Sequence, residues 1–255
     1  MQDARYIHSP EVHNTVAAEY ILPFVFSMIN PAKVIDIGCG TGSWLKIAKG
    51  LGANQVLGID GVSVNMALLE IDQHEFQKHN LILPFQPSEK FDLAICLEVA
   101  EHLPESAADT LIDTIASSSN CILFSAALPE QGGQNHINEQ WPEYWQKKFA
   151  SKLLYPLDII REKYWSNSEI EWWYKQNMFF YTTKDWAEKL NIIPNEQFQT
   201  YIHPELFCLK TKHLREALAE KERVQSEYEA ILQRSQYPTI RQAVKTLVKA
   251  LIKLR

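Results

Sequence analysis

The sequence has no CxxC pair among its four cysteines, no apolar run long enough to cross a bilayer, and fewer basic than acidic side chains. Each shortage excludes something. Cys39, Cys96, Cys121 and Cys208 stand singly within apolar runs. They read as reduced core residues and exclude a disulfide framework or a cysteine-based zinc site. The apolar stretch over residues 21–29 is interrupted by Pro23 and is too short for a membrane span. No signal-peptide pattern opens the chain, which gives a cytoplasmic expectation. With Lys+Arg 25 against Asp+Glu 31, the net charge of −6 gives no general attraction for phosphate backbones, so nucleic acid is disfavoured as a partner. Internal repeats and low-complexity segments are missing too. At 255 residues, 46% hydrophobic and 22% charged, the chain suits one sizeable soluble domain with extensions.

Hydrophobic periodicity predicts the organisation. Residues 11–29 read as a helix that stops before Asn30-Pro31. Short apolar strands follow at Lys33–Ile37, 55–59, 91–97 and 121–126, with a weaker third strand within 76–83. Helical patterns begin at 43–49 and cover 105–117. Strands alternating with helices imply a parallel sheet covered on both faces. After residue 127 comes a long loop, an aromatic-rich stretch and a late strand at 177–182, and from about Leu214 the pattern is charged and helical. This gives an N-terminal cap over 1–30, a main domain over 31–210 and a helical tail over 211–255.

The strongest local signal is Val34-Ile-Asp-Ile-Gly-Cys-Gly-Thr-Gly42, an apolar strand running into a glycine-rich turn. Glycines at 38, 40 and 42 let the backbone approach a ligand closely. Asp36 lies inside the strand, where dinucleotide-binding motifs usually carry an apolar residue. Asp60 closes the second strand, where an acidic side chain can accept both hydroxyls of a ribose. The segment resembles the first motif of the class I S-adenosylmethionine-dependent methyltransferases, and the resemblance covers roughly residues 31–182. It implies a Rossmann-like α/β fold with a doubly wound, mostly parallel seven-stranded sheet. It implies that Gly38 and Gly40 line the S-adenosyl-L-methionine pocket, Asp36 orients the methionine end and Asp60 holds the ribose. In many relatives an acidic residue near strand three approaches the adenine, and this chain has Asn80 there, a departure from the pattern.

Beyond strand four the sequence reads Leu97-Glu98-Val-Ala-Glu101-His102-Leu-Pro104. If this segment turns helically, Glu98, Glu101 and His102 face one point. Two carboxylates and an imidazole suit a divalent cation, since the carboxylates alone would repel. The loop after strand five carries His136 as a fourth candidate ligand. The combination resembles metal-dependent 2′-O-methyltransferases of small-RNA 3′ ends, and the EVxEH run is similar to that of ubiquinone-pathway O-methyltransferases. Position by position, the resemblance implies a divalent metal (Mg, Mn, Fe, Co or Zn) held by Glu98, Glu101, His102 and His136. General-base catalysis by His102 or His136 without metal is the competing reading.

The segment from Ser125 through Pro142 is also similar to bacterial methyltransferases associated with surface polysaccharide, which implies a saccharide or glycan hydroxyl as acceptor. Dense aromatics over 141–180, among them Trp141, Trp145, Trp172 and Trp173, either pack the last strands or stack on such an acceptor. Alternatives are a quinone or natural-product acceptor, an RNA 3′-terminal ribose, or a non-catalytic cofactor-binding scaffold. The stretch from Tyr6 to Asn14 could fold over the site as a lid, with His8 and His13 surface residues by default. Finally, residues 238–255 carry five basic and no acidic residues, with an apolar face along Ile240, Val244, Leu247, Val248, Leu251 and Ile252. That pattern fits a peripheral helix at the inner face of a membrane, or self-association through the same helix.

Overall fold

The computed structural model describes residues 14–61, 64, 66–194, 199–234 and 238–253. The N-terminal stretch proposed as a lid, with His8 and His13, lies outside the described residues up to position 13, as does Arg255. The first helix, α1, spans Val16–Ile29 with Pro23 inside it. Its expected start at residue 11 moves to Val16, whose N–H donates to the Asn14 side chain at 2.8 Å. It ends where expected: Asn30 takes a left-handed conformation and donates to the Phe26 carbonyl.

The strands are β1 (Lys33–Ile37), β2 (Gln55–Asp60), β3 (Phe76–Lys78), β4 (Leu93–Leu97), β5 (Cys121–Ser125), β6 (Tyr155–Leu157) and β7 (Phe179–Thr182). They form a seven-stranded sheet in the order β3-β2-β1-β4-β5-β7-β6. β1 to β5 pair in parallel, while β7 is antiparallel to both β5 and β6. The doubly wound, mostly parallel architecture expected from the sequence is the one observed. β6 was not predicted. It is an edge strand of three residues with Pro156 at its centre, a residue that an edge tolerates and an interior strand does not.

The helices are α2 (Ser43–Gly50), α3 (Ala108–Ser118), α4 (Pro142–Ala150), α5 (Ile159–Tyr164), α6 (Trp172–Asn177) and α7 (Lys184–Lys189). α3 starts later than expected because residues 105–107 form a separate 3-10 turn. Alternation along the strands builds two cores. Val34, Leu93, Ile95, Leu123 and Phe180 pack with α1 and α2, and their neighbours Ile35, Ala94, Ile122, Phe124 and Tyr181 pack with α3 and α4. Full burial of each Val, Leu, Ile or Phe among them contributes about 1.5–3 kcal/mol. Of the cysteines, Cys39, Cys96 and Cys121 are buried as expected, but Cys208 is exposed.

The chain divides into two compact units, Met1–His203 and Pro204–Arg255. The second contains α8 (Pro204–Arg234) and α9 (Pro238–Lys253), so helix begins ahead of the residue 211 expected from the charge pattern. Leu214, Leu218, Val224 and Ile231 along α8 are all exposed.

Candidate functional site

Strand order reverses at β1. The chain steps outward from β1 to β2 and β3, then returns to the other side of β1 for β4 and β5. Loops leaving the carboxyl ends of β1 and β4 therefore splay apart and open a crevice, the usual ligand position in open α/β sheets. A cavity of about 720 Å³ occupies it, lined at one end by Asp36, Gly38, Gly40, Asp60 and Asn80 and at the other by Glu98, His102 and His136.

At the first end, β1 enters the glycine turn with Gly38 at φ 86°. A side chain there would meet Val99 Cγ2 at 2.3 Å, so glycine is required by both conformation and space. The turn is tied to β2: Gly38 N–H donates to the Ile59 carbonyl at 2.7 Å, and Gly40 N–H donates to Asp60 Oδ2 at 2.9 Å. One carboxylate thus both shapes the turn and faces the cavity. Asp36 is 3% exposed. Burial, then the nearby Asp60 charge, raises its carboxyl well above the ordinary 3.8. An adjacent cationic amine would relieve that penalty.

At the second end the expected helical turn is not formed as drawn. Glu98 sits at φ 53°, and the 3-10 turn starts only at Ala100. Its N–H donates to the Ser125 carbonyl and Oγ, both at 3.1 Å, which fixes it to the end of β5. Its carboxylate accepts from Asn177 Nδ2 at 3.2 Å and from Gln131 Nε2 at 3.4 Å. Glu98 therefore adjoins Glu101 but is held by amides, while ligand atoms of Glu101, His102 and His136 lie within 4.8 Å of one another. Backbone pairing makes that convergence. The Glu101 carbonyl accepts from Ile137 N–H at 2.9 Å and Asn138 N–H at 3.1 Å, pulling the His136 loop onto the 3-10 turn.

Glu101 is fully buried, and neither carboxylate oxygen has a well-formed hydrogen bond. Looser contacts come from the backbone at Glu101 and Ala127 and from the Glu98 carboxyl, and burial followed by the Glu98 charge pushes its pKa well up. Burial likewise raises Glu98, offset in part by Ser125 and Asn177. His102 is lowered to about 4 by burial and by His136, whose ring lies 4.9 Å away at 81°. It is therefore neutral at physiological pH, with a lone pair to offer.

Sequence reasoning missed Glu139. Its Oε1 accepts from His136 Nδ1 at 2.8 Å and from Gly132 N–H at 2.7 Å. That orients the ring and leaves Nε2 to act as acceptor or ligand. Nε2 lies against Gly133, where an added Cβ would stand 2.2 Å away. The three-residue spacing of His136 and Glu139 was the available signal. Gln131 and Asn177 carried none, since amides at such spacing are common in any loop. Trp141, one of the aromatics offered for packing or acceptor stacking, is 48% exposed and is not among the cavity's lining residues. Trp172, Trp173, Tyr174 and Trp44 are. Trp145 instead packs on Phe124 in the core. Among the described residues a second His/carboxylate group exists at Asp72, His74 and Glu75, but Lys49 already pairs with both carboxylates.

A switch-point crevice with a glycine turn after β1 and an acidic residue ending β2 is the arrangement expected from the resemblance to the class I S-adenosylmethionine-dependent methyltransferases. Residues 12–183 match the family described as "Methyltransferase domain", more than half of the chain, and the protein belongs to that family. Among curated relatives, ribosomal protein L11 methyltransferase of Lactobacillus johnsonii is 30% identical over 119 residues, 44% of this chain and 36% of that protein. Ubiquinone biosynthesis O-methyltransferase of Glaesserella parasuis is 36% identical over 86 residues, 28% of this chain and 35% of that protein. The chain thus spans about a third of the length of these relatives. In structure, Streptomyces venezuelae DesVI aligns with TM-score 0.51 at 11% identity, over 66% of this chain and 91% of that one. An S-adenosylmethionine-bound amino pentose methyltransferase from Micromonospora echinaspora aligns with TM-score 0.51 at 12% identity, over 72% of this chain and 100% of that one. Both likenesses are of fold.

Proposed function

We propose that the protein is an O-methyltransferase that holds a divalent cation between Glu101, His102 and His136 and methylates a hydroxyl of a saccharide or glycan intermediate. The observation that carries this reading is the buried Glu101 carboxylate, without a well-formed hydrogen bond, beside two imidazoles at the inner end of the cofactor crevice. A buried carboxylate in that state costs stability unless protonated or paired with a cation. The donor set fits: one carboxylate and two imidazoles, one neutral by its lowered pKa and one oriented by Glu139. Glu98, restrained by Asn177 and Gln131, adds a second carboxyl alongside.

When bound, such a cation supplies Lewis acidity toward an acceptor hydroxyl. The protein's own groups do the rest. Asp60 accepts the ribose hydroxyls, Asp36 receives the methionine amine, the Gly38–Gly40 backbone lies along the cofactor, and Asn80 takes the adenine end. His102 and His136 are the groups within reach to hold or move the hydroxyl proton. Trp172 and Trp173, rings 5.4 Å apart and both lining the cavity, offer faces on which a sugar ring can stack. The His136–Glu139 hydrogen bond favours a second reading, a metal-free base. The ubiquinone-pathway relatives favour a quinone-type small molecule as alternative acceptor.

The test is transfer of a labelled methyl group from S-adenosylmethionine to a panel of saccharides and catechols, before and after chelation. A labelled sugar ether whose formation stops with EDTA and returns with Mn or Mg is the expected result. Full turnover after chelation would leave the metal-free base as the mechanism, and transfer to catechols alone would remove the saccharide.

A further inference from the structure

Outside the crevice the least explained feature is α9, and it stands independently of the reading above. Over Pro238–Lys253 it contains Arg241, Lys245, Lys249 and Lys253 and no acidic residue, in a chain whose net charge is −6. At about 100° per residue, the four basic positions fall on an arc of about 120°. Ile240, Val244, Leu247, Val248 and Leu251 fall on an adjoining arc of about 100° that no basic residue interrupts. Apart from Ile252, whose position falls within the basic arc, two sides of one helix are thus given to two chemistries. Lys245 and Lys249 are exposed, and Leu247 is 66% exposed, so the aliphatic side includes a large side chain in water.

We propose that α9 is a peripheral docking element for an anionic phospholipid surface. Charge complementarity selects the partner: the helix carries cations without counter-charges of its own, and the membrane surface supplies anions at high density. The aliphatic arc selects lipid over a nucleic acid, because a phosphate backbone offers nothing for Leu247 or Val248 to enter, while the acyl boundary does. Among the described residues no helix is long and apolar enough to cross a membrane, so the contact lies in the interface plane. α8 does not share the property, since its acidic and basic residues are equal in number.

The experiment is co-sedimentation of the full chain with phosphatidylcholine vesicles, with and without about one third phosphatidylserine, at low and physiological salt. The wild type is expected in the pellet only with the anionic vesicles, released as salt rises. The variant K245E/K249E keeps the aliphatic arc and is expected to lose partitioning by more than about tenfold. Leu247→Ser should weaken it at unchanged charge. Equal pelleting of wild type and K245E/K249E would overturn the proposal. So would failure of the wild type to bind anionic vesicles, whether or not its mass then changes with concentration in a way that Leu247→Ser abolishes, the mark of self-association. Binding to RNA in preference to vesicles, insensitive to Leu247→Ser, would also overturn it.

Discussion

Gly38→Ala probes the joint between the glycine turn after β1 and the loop after β4. The position sits at φ 86°, where an L side chain costs about 1–2 kcal/mol. The new methyl would stand 2.3 Å from Val99 Cγ2 and 2.9 Å from Cγ1. Val99 is 8% exposed and β-branched, with little freedom to turn away. Overpacking of this kind adds about 1–3 kcal/mol. The sum is about 3 kcal/mol, which for a domain of this size lowers Tm by about 6–12 °C. Urea denaturation followed by tryptophan fluorescence measures it. The partner variant Val99→Ala removes the obstructing methyls, so the Gly38→Ala/Val99→Ala pair should show favourable coupling of about 1–2 kcal/mol, leaving only the backbone cost. A loss below about 0.5 kcal/mol for Gly38→Ala, or additive costs in the double variant, would refute the close approach of the two loops.

Further outcomes follow from the same geometry. Asp60→Ala removes the acceptor for Gly40 N–H and the proposed ribose contacts. Calorimetry should show S-adenosylhomocysteine binding weakened by about 3 kcal/mol, and unchanged affinity would move the cofactor elsewhere. Asp36 is raised above 3.8 in the fold, so its contribution is fully present below that value and is lost as pH rises toward the native one. Cofactor-free protein should therefore lose stability relative to Asp36→Asn as pH rises above the ordinary 3.8, and parallel curves would contradict the burial argument. Glu139→Gln should spare cofactor affinity yet lower turnover at least about tenfold, because His136 loses its orienting carboxylate. Turnover equal to wild type would make that contact incidental.

Much of the fold was legible because parallel strands buried on both faces read as apolar runs, as in Leu93–Leu97 and, apart from Asp36, Val34–Ile37. Asp36 and Asp60 stood out as acids inside or ending such runs. The pieces that were not legible are short. β6 has three residues, and α5 and α6 six each, lengths at which periodicity says nothing. The site was legible as a set of residue types but not as a geometry. The spacing of Glu98, Glu101 and His102 suggested one helical face, whereas Glu98 at φ 53° points its carboxylate to Asn177, a partner 79 positions away. Glu139 escaped notice because its role depends on a loop fold that Glu101's backbone carbonyl imposes from the 3-10 turn after β4.

The central claim is that Glu101, His102 and His136 hold a cation. Crystals grown with S-adenosylhomocysteine and manganese, measured at the manganese edge, test it directly. The account predicts an anomalous peak bounded by the Glu101 carboxylate and the two imidazoles, lost in His136→Ala. A map with no peak there, or with a peak only beside Asp72 and Glu75, would contradict it.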